Sequence, residues 1–388
     1  MGVFSALTTA VSGMQAQSYA LENISGNIAN SRTAGFKRVD TTFSDLVPDS
    51  ALNRQISGSV AAFSQATNSI QGDLTATRID TNAAINGDGF FVVDQRTTGL
   101  GSNTQFANTN LYTRRGDFDF DANGYLVNGA GYYLKGLPLD RVTGQVIGTQ
   151  PEVLRITKEQ FPAKATAEIE YRANIPAVPG TTRASQGGSA LIDGAVVTAA
   201  VPHDVVLGQN ITNFLSTTIP GGSVTVYDEL GKATSVEMRW GKVSNASPGD
   251  PLAVPPVPAT ADTWNLFIAQ DTGAGTGETA YVKADEDVVF GSTGQMTLPP
   301  TGNILLPTLT INGTVVSSAA NPINLSTGGN GLTQNGDVSG QIDARSVRQD
   351  GYTAGTLDRT SVSATGQVIG TFSNGQVVAL AQLSVAPR

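Results

Sequence analysis

Residues 117–134 read DFDFDANGYLVNGAGYYL. Apolar and polar positions alternate from Asp117 to Phe120, and strand-like runs resume at Tyr125 to Val127 and Tyr132 to Leu134, with Asn123-Gly124 and Asn128-Gly129 between them. A period of two marks strands whose side chains point alternately to two faces. Asn-Gly between such strands suits the positive φ of a tight hairpin turn, so this stretch predicts an antiparallel β domain. The same texture extends outward. Ala84-Ile85 reads as a strand before Asn86-Gly87-Asp88-Gly89, then Phe90-Phe91-Val92-Val93 and Leu111-Tyr112-Thr113 follow. At the far end, strand patterns at 360–362, 368–370 and 377–383 carry Asn374-Gly375 between the last two.

Between these ends lies a long insert, residues 150–350, with strand patterns at 168–173, 224–227, 236–240, 264–268 and 309–311. Pro248 to Pro258 is proline-rich and stands between Trp240 and Trp264, which predicts an exposed loop joining paired strands. The expected fold class is mainly β, with two or more antiparallel β domains and an N-terminal coiled-coil-type α-helix. Its expected divisions are a heptad helix at 1–30, a connector at 31–73, a discontinuous inner β domain at 74–149 plus 351–388, and one or two inserted outer β domains at 150–350. The connector contains turns at Thr33 to Arg38 and at Pro48-Asp49-Ser50.

The helix is the least ordinary part. Phe4, Leu7, Val11, Met14, Leu21 and Ile28 recur at steps of three and four, with Ser18 and Ser25 at the weak positions. That is the seam of a coiled coil, from about Ser5 to Asn30 and roughly 40 Å long at 1.5 Å per residue. Gly13 and Gly26 each weaken it by about 1 kcal/mol relative to Ala, and glycine in a seam often marks close approach of another backbone. Glu22 is the only charged side chain from Met1 to Ser31, and the opposite face is Thr8, Thr9, Ser12, Gln15, Gln17, Tyr19 and Asn23. A lone surface helix normally displays charge there. Its neutral outer face predicts protein contacts all round, more than one chain would supply, and hence a polymer subunit.

Composition bounds the function. The 388 residues include 44 glycines, while aromatic residues are 6 % and charged residues 14 % of the chain, a balance that favours short strands and turns over a helical bundle. A net charge of -9 leaves no basic stripe to neutralise phosphates, which argues against nucleic acid. There is no cysteine, so disulfides, thiolate metal sites and a cysteine nucleophile are excluded. No window approaches the roughly 18 apolar residues of a membrane span. The first apolar stretch is periodic and has no Lys or Arg ahead of it, unlike a signal peptide, so export would need another route.

Candidate chemical sites are weak. Asp119-x-Asp121-x-Asn123-Gly124 fits the first half of a calcium loop, but the twelfth position is Ala130 and lacks the bidentate carboxylate. Asp285-Glu286-Asp287 are adjacent carboxylates that point apart and suit a solvated loop better than glycoside hydrolysis. His203 is the only histidine, so no His pair exists to hold a metal. Gly87-x-Gly89 leads into a strand, where a phosphate loop requires a helix N-terminus. No enzyme activity, metal or cofactor is expected.

Several longer motifs resemble those of a known family. Gly26-Asn27-Ile28-Ala29-Asn30 followed by Thr33-Ala34-Gly35-Phe36-Lys37-Arg38 is similar to the signature that opens rod and hook subunits of the bacterial flagellum. The stretches 84–93, 112–118 and 121–127 resemble the core-domain motif of these axial proteins. Val226-Tyr227-Asp228-Glu229-Leu230-Gly231 ahead of Trp240, Gly351 to Leu357, and Phe372 to Gln376 resemble the hook protein more than the shorter rod proteins. Most of residues 150–350 carries no recognisable motif. The resemblance implies a helical homopolymer, type III export in an unfolded state, and location in the flagellar basal body and hook. It also implies rod and hook-filament junction proteins, a hook cap, a length-control protein and the export apparatus as partners. Family members continue into a C-terminal helix that pairs with the first, and an intact subunit would be expected to extend beyond Arg388. The alternatives are a distal-rod-type subunit, which should lack so long an insert, and a calcium-dependent β-rich adhesin, which would need ion loops in series.

Overall fold

The computed structural model describes residues 3–45, 60–68, 70–98, 104–328, 331–336 and 338–387, so the turn expected at Pro48-Asp49-Ser50 lies outside the described residues. Two compact units form, one from Met1–Phe161 with Thr356–Arg388 and one from Pro162–Gly355. Helix α1 spans Val3–Ala29. The segment expected to be a connector holds a hairpin of β1, Val39–Asp45, and β2, Val60–Ala66, in full antiparallel register from Val39↔Ala66 to Asp45↔Val60. Its sequence alternates only weakly, because small and hydroxylated residues occupy both faces.

Apart from that hairpin, the described strands of the first unit form one sheet. In spatial order it runs Leu357–Val362, Gln367–Phe372, Val377–Leu383, Tyr132–Pro138, Phe90–Thr98 and Val385–Ala386. Residues more than 240 positions apart in sequence therefore pair, as at Ala381↔Pro138 and Val385↔Phe91. Phe91, Phe118, Leu126 and Leu134 are buried, with Phe91 and Phe118 edge to face at 5.4 Å. Asp94 and Lys135 are buried together, 3.7 Å apart, and the ammonium also donates to Asn110 Oδ1.

Phe118–Phe120 and Leu126–Asn128 form the expected hairpin. Neither Asn-Gly makes a two-residue turn, however. The positive φ falls on Gly124 and on Gly131, inside longer loops whose N–H groups donate to the carboxylate of Asp121 and the amide oxygen of Asn128. Asn312-Gly313 does make the tight turn, at φ 48° and 78° between Leu309–Ile311 and Thr314–Ser317. Ala84-Ile85 is not a strand. There the chain runs hard against Gly116: Ala83 N–H donates to the Gly116 carbonyl, and a Cβ on Gly116 would lie 1.7 Å from the Ala83 oxygen.

In the second unit the meander Ile219–Tyr227, Ala233–Ser244 and Asp262–Ala269 continues through Thr279–Lys283 and Val205–Leu207 to Val197–Thr198. Beside it and the two-stranded hairpin at 309–317, Glu168–Asn174 organises a further sheet, antiparallel to Asp343–Gln349 but parallel to Asn324–Ser326 and Leu332–Thr333. The insert is thus mixed, not purely antiparallel, since these partners return by long connections. Both sheets feed one apolar core that includes Tyr171, Met238, Trp240, Trp264 and Leu325. Trp240 Nε1 donates to the Tyr171 hydroxyl at 3.3 Å, and that hydroxyl donates to the Gly221 carbonyl at 2.8 Å. Burial lifts the Tyr171 phenol well above its usual range. Phe267 leaves the other face of its strand and packs with Phe214 of the helix Ile211–Thr217 and with Tyr281. A strand covered on both faces needs apolar residues at nearly every position, as Trp264-Asn265-Leu266-Phe267-Ile268 shows.

Candidate assembly surface

Helix α1 has two stripes, and the hairpin takes the small one. Thr9, Ser12, Gly13, Ala16, Ala20, Asn23 and Asn27 are the shielded positions, at steps of three and four apart from the adjacent Ser12 and Gly13, with Ala16 buried. Ser12 Oγ donates to the Val60 carbonyl at 3.0 Å, and the Tyr19 and Ser64 hydroxyls are 2.7 Å apart. Asn23 Nδ2 donates to Thr41 Oγ1 at 2.8 Å. Asn27 acts as one more strand residue: its Nδ2 donates to the Val39 carbonyl at 2.8 Å, and its Oδ1 accepts the Val39 N–H at 3.0 Å.

These bonds correct the expectation that the polar face requires neighbouring chains. Part of it, Thr9, Ser12 and Asn23, is shielded within the chain while Thr8, Gln15 and Gln17 stay exposed, because hydroxyls and amides are what a helix needs to grip a narrow hairpin that presents Thr41 and Ser64 to it. The large apolar stripe is left outside. Phe4, Leu7, Val11, Met14, Leu21 and Ile28 are between 40 % and 80 % exposed. Among the described residues outside their own helix turns, nothing lies within 4 Å of where a Cβ on Gly13 or Gly26 would stand, so no such contact explains either glycine.

The signature residues around the helix end have identifiable work. Asn30 ends the helix: its N–H and its Nδ2 both donate to the Gly26 carbonyl, and its own carbonyl accepts Thr33 N–H. The chain then turns at Gly35, φ 73°, which presses on the Arg114 peptide so closely that a Cβ would stand 2.6 Å from Arg114 C and Arg115 N. Phe36 N–H closes the turn on the Thr33 carbonyl, and its ring is half exposed. Arg114 donates to the Gly87 carbonyl at 2.8 Å and lies over the Phe90 ring, while Arg115 and Asp117 form a two-bond ion pair. That pairing raises the arginine and holds the Asp117 carboxyl below its usual range. Ala29 is exposed on the last helical turn. The family signature thus joins the helix end to the core-domain motif, a long-range contact that no local spacing reveals.

The chemical candidates stay apart. Asp121 spends its carboxylate on the N–H groups of Asn123 and Tyr125. His203 Nδ1 and Asp285 Oδ1 are 2.7 Å apart, whereas Asp287 pairs with Lys283 and Asn265. Among the described residues no group of three or more His, Cys, Asp or Glu gathers to hold a metal, and no helix is long and apolar enough to cross a membrane.

Residues 7–37 match the flagella basal body rod protein family, 84–174 the flagellar hook protein FlgE/F/G D1 domain, and 209–352 the flagellar basal body protein FlaE D2 domain. The last match covers much of the insert in which sequence reading recognised a single patch. The chain is 37 % identical over 176 residues to flagellar hook protein FlgE of Brucella abortus, covering 45 % of this chain and 42 % of that protein. It is 30 % identical over 266 residues to flagellar hook protein FlgE of Rhizobium meliloti, covering 66 % and 55 %. A crystal structure of Helicobacter pylori flagellar hook protein FlgE2 aligns with TM-score 0.48 and 14 % identity over 80 % of this chain and 89 % of that one. A rod-type helix segment followed by D1 and D2 modules is the make-up of an axial protein of the bacterial flagellum, and these matches together support a flagellar hook protein. It spans less than half the length of the Brucella relatives it matches.

Proposed function

We propose that this chain is a structural, non-catalytic subunit of the flagellar hook, polymerising helically into a curved, flexible tube that carries motor torque from rod to filament. The orientation of α1 supports this most strongly. With its small polar stripe bonded to its own hairpin, the helix turns its large apolar side chains outward. In the tube, the seam from Phe4 to Ile28 buries against helices of neighbouring copies near the axis. At about 25 cal/mol per Å² that burial outweighs the ordering of side chains and backbone only once neighbours are present. The β units stack outside, and their Gly-, Ser- and Thr-rich surfaces slide as the tube bends.

The subunit works outside the cell, in the hook, after type III export. Its partners are its own copies, rod and hook-filament junction proteins, the hook cap, the length-control protein and the export apparatus. A distal-rod role fits the helix equally well but not the D2 module. An adhesin role is disfavoured because the Asp119 loop carries Ala130 where the bidentate carboxylate would stand and, among the described residues, no group of three or more His, Cys, Asp or Glu gathers to hold an ion. Electron microscopy of the concentrated chain tests the proposal. Curved tubes are expected; persistent folded monomers at all concentrations would refute it.

A further inference from the structure

Both ends of one long strand in the second unit carry exposed apolar side chains on ordered scaffolds. The strand Ala233–Ser244 has 12 residues, about 40 Å at 3.3 Å per residue. Beyond Ser244 the proline-rich segment forms a small hairpin of its own. Ser247 and Thr260 exchange backbone hydrogen bonds at 2.9 Å, Asp250 and Val257 at 2.8 Å, and the Asp250 carboxylate accepts Leu252 N–H. From Asn245 to Ala261 that carboxylate is the only charge. Leu252 is 90 % and Val254 98 % exposed at the tip. Five prolines between 248 and 258 lower the entropy that the tip would lose on docking.

Ahead of Ala233, at the opposite end, the turn 228–232 borders a groove of about 440 Å³ with Val316 in its floor and Leu230 and Val315 exposed on its walls. Its rim charges are committed locally. Asp228 accepts the N–H groups of Leu230 and Lys232, Glu229 holds Asn321, and Lys232 holds Thr314. An uncharged apolar tip therefore enters the groove without stripping a carboxylate of its partners.

We infer that the Leu252–Val254 tip of one copy docks in the Leu230–Val315 groove of the next, a head-to-tail contact between second units along the polymer. The inference rests on the hook proposal. An open helical assembly needs heterologous contacts, in which each copy offers two different complementary surfaces, and a tip and a groove at opposite ends of one strand supply such a pair. The contact is far smaller than the roughly 1,200 Å² of a stable interface, so it forms only where other contacts already hold neighbours together. A small, dry, neutral contact also breaks and reforms easily as the tube bends.

The chain has no cysteine, so engineered thiols report this geometry without background. Full-length Val254→Cys and Val315→Cys chains, one carrying a mass tag, would be mixed, polymerised and oxidised. The expected product is mainly the mixed dimer, and a chain with both substitutions should give a reducible ladder. As a second measurement, Val254→Asp should raise the concentration needed for polymerisation several-fold, and Leu230→Lys in the same chain should recover most of that loss. Polymers that form with only like-with-like dimers or no cross-link, or a Val254→Asp chain that assembles as the parent does, overturn the inference while leaving the hook proposal standing. A parent chain that never polymerises refutes the hook proposal, and this contact falls with it.

Discussion

Gly35→Ala tests whether the helix end is locked to the β sheet. The residue sits at φ 73°, where a side chain costs roughly 1–2 kcal/mol. The added methyl would also stand 2.6 Å from Arg114 C and Arg115 N and 2.8 Å from Arg114 O, about 1 Å inside normal contact. Arg114 has little room to retreat. Its guanidinium is tied to Gly87 and Phe90, and Arg115 N–H donates to Thr113 Oγ1 at the end of a paired strand. Overpacking of this kind costs about 1–3 kcal/mol, giving about 2–5 kcal/mol in total. For a unit of this size, that lowers the first unit's midpoint by at least about 4 °C in calorimetry. Gly131→Ala is the control, with φ 84° but no atom within 4 Å of its Cβ, so only the conformational cost applies. Hydrogen exchange at 33–38 and 114–116 should rise in Gly35→Ala alone. If the two variants are equally stable and exchange is unchanged, the lock does not exist.

Other consequences follow from the same geometry. Asn27→Ala leaves the Val39 N–H and carbonyl without their partners and should cost about 1–3 kcal/mol, read as faster exchange across β1 with the second unit unaffected. Lys135→Met strands the buried Asp94 carboxylate and should cost about 3–5 kcal/mol, whereas Lys135→Met with Asp94→Leu should recover part of it in a double-mutant cycle by urea unfolding. Asp350 is pushed up by burial but lowered on balance by Lys164 and the N–H groups of Ala167 and Glu168. Because its folded pKa lies below the unfolded value of 3.8, its contribution is present above that pH and is lost as pH falls through the folded value; Asp350→Asn should flatten that part of the second unit's acid-unfolding curve. Helix α1 should be markedly better protected from exchange in the polymer than in the monomer, since its apolar stripe is exposed until copies meet; equal protection in both states would count against the seam.

Local chemistry wrote much of this fold into the sequence. Heptad spacing marks α1 within two residues of each end, alternation marks the strands at 118–120 and 168–174, and short apolar runs mark those at 262–269 and 377–383, because side-chain period and backbone geometry are the same property. The absence of cysteine and of basic patches, also local facts, removes whole classes of function. Tertiary structure decided what spacing cannot carry. Whether Asn23 and Asn27 face neighbouring copies or a hairpin depends on where the strands 39–45 and 60–66 pair, and weak alternation there hides them. Whether Gly35 is a mere turn or a lock depends on Arg114, 79 positions away in sequence. Periodicity reports which residues share a face; only packing across the chain decides what that face meets.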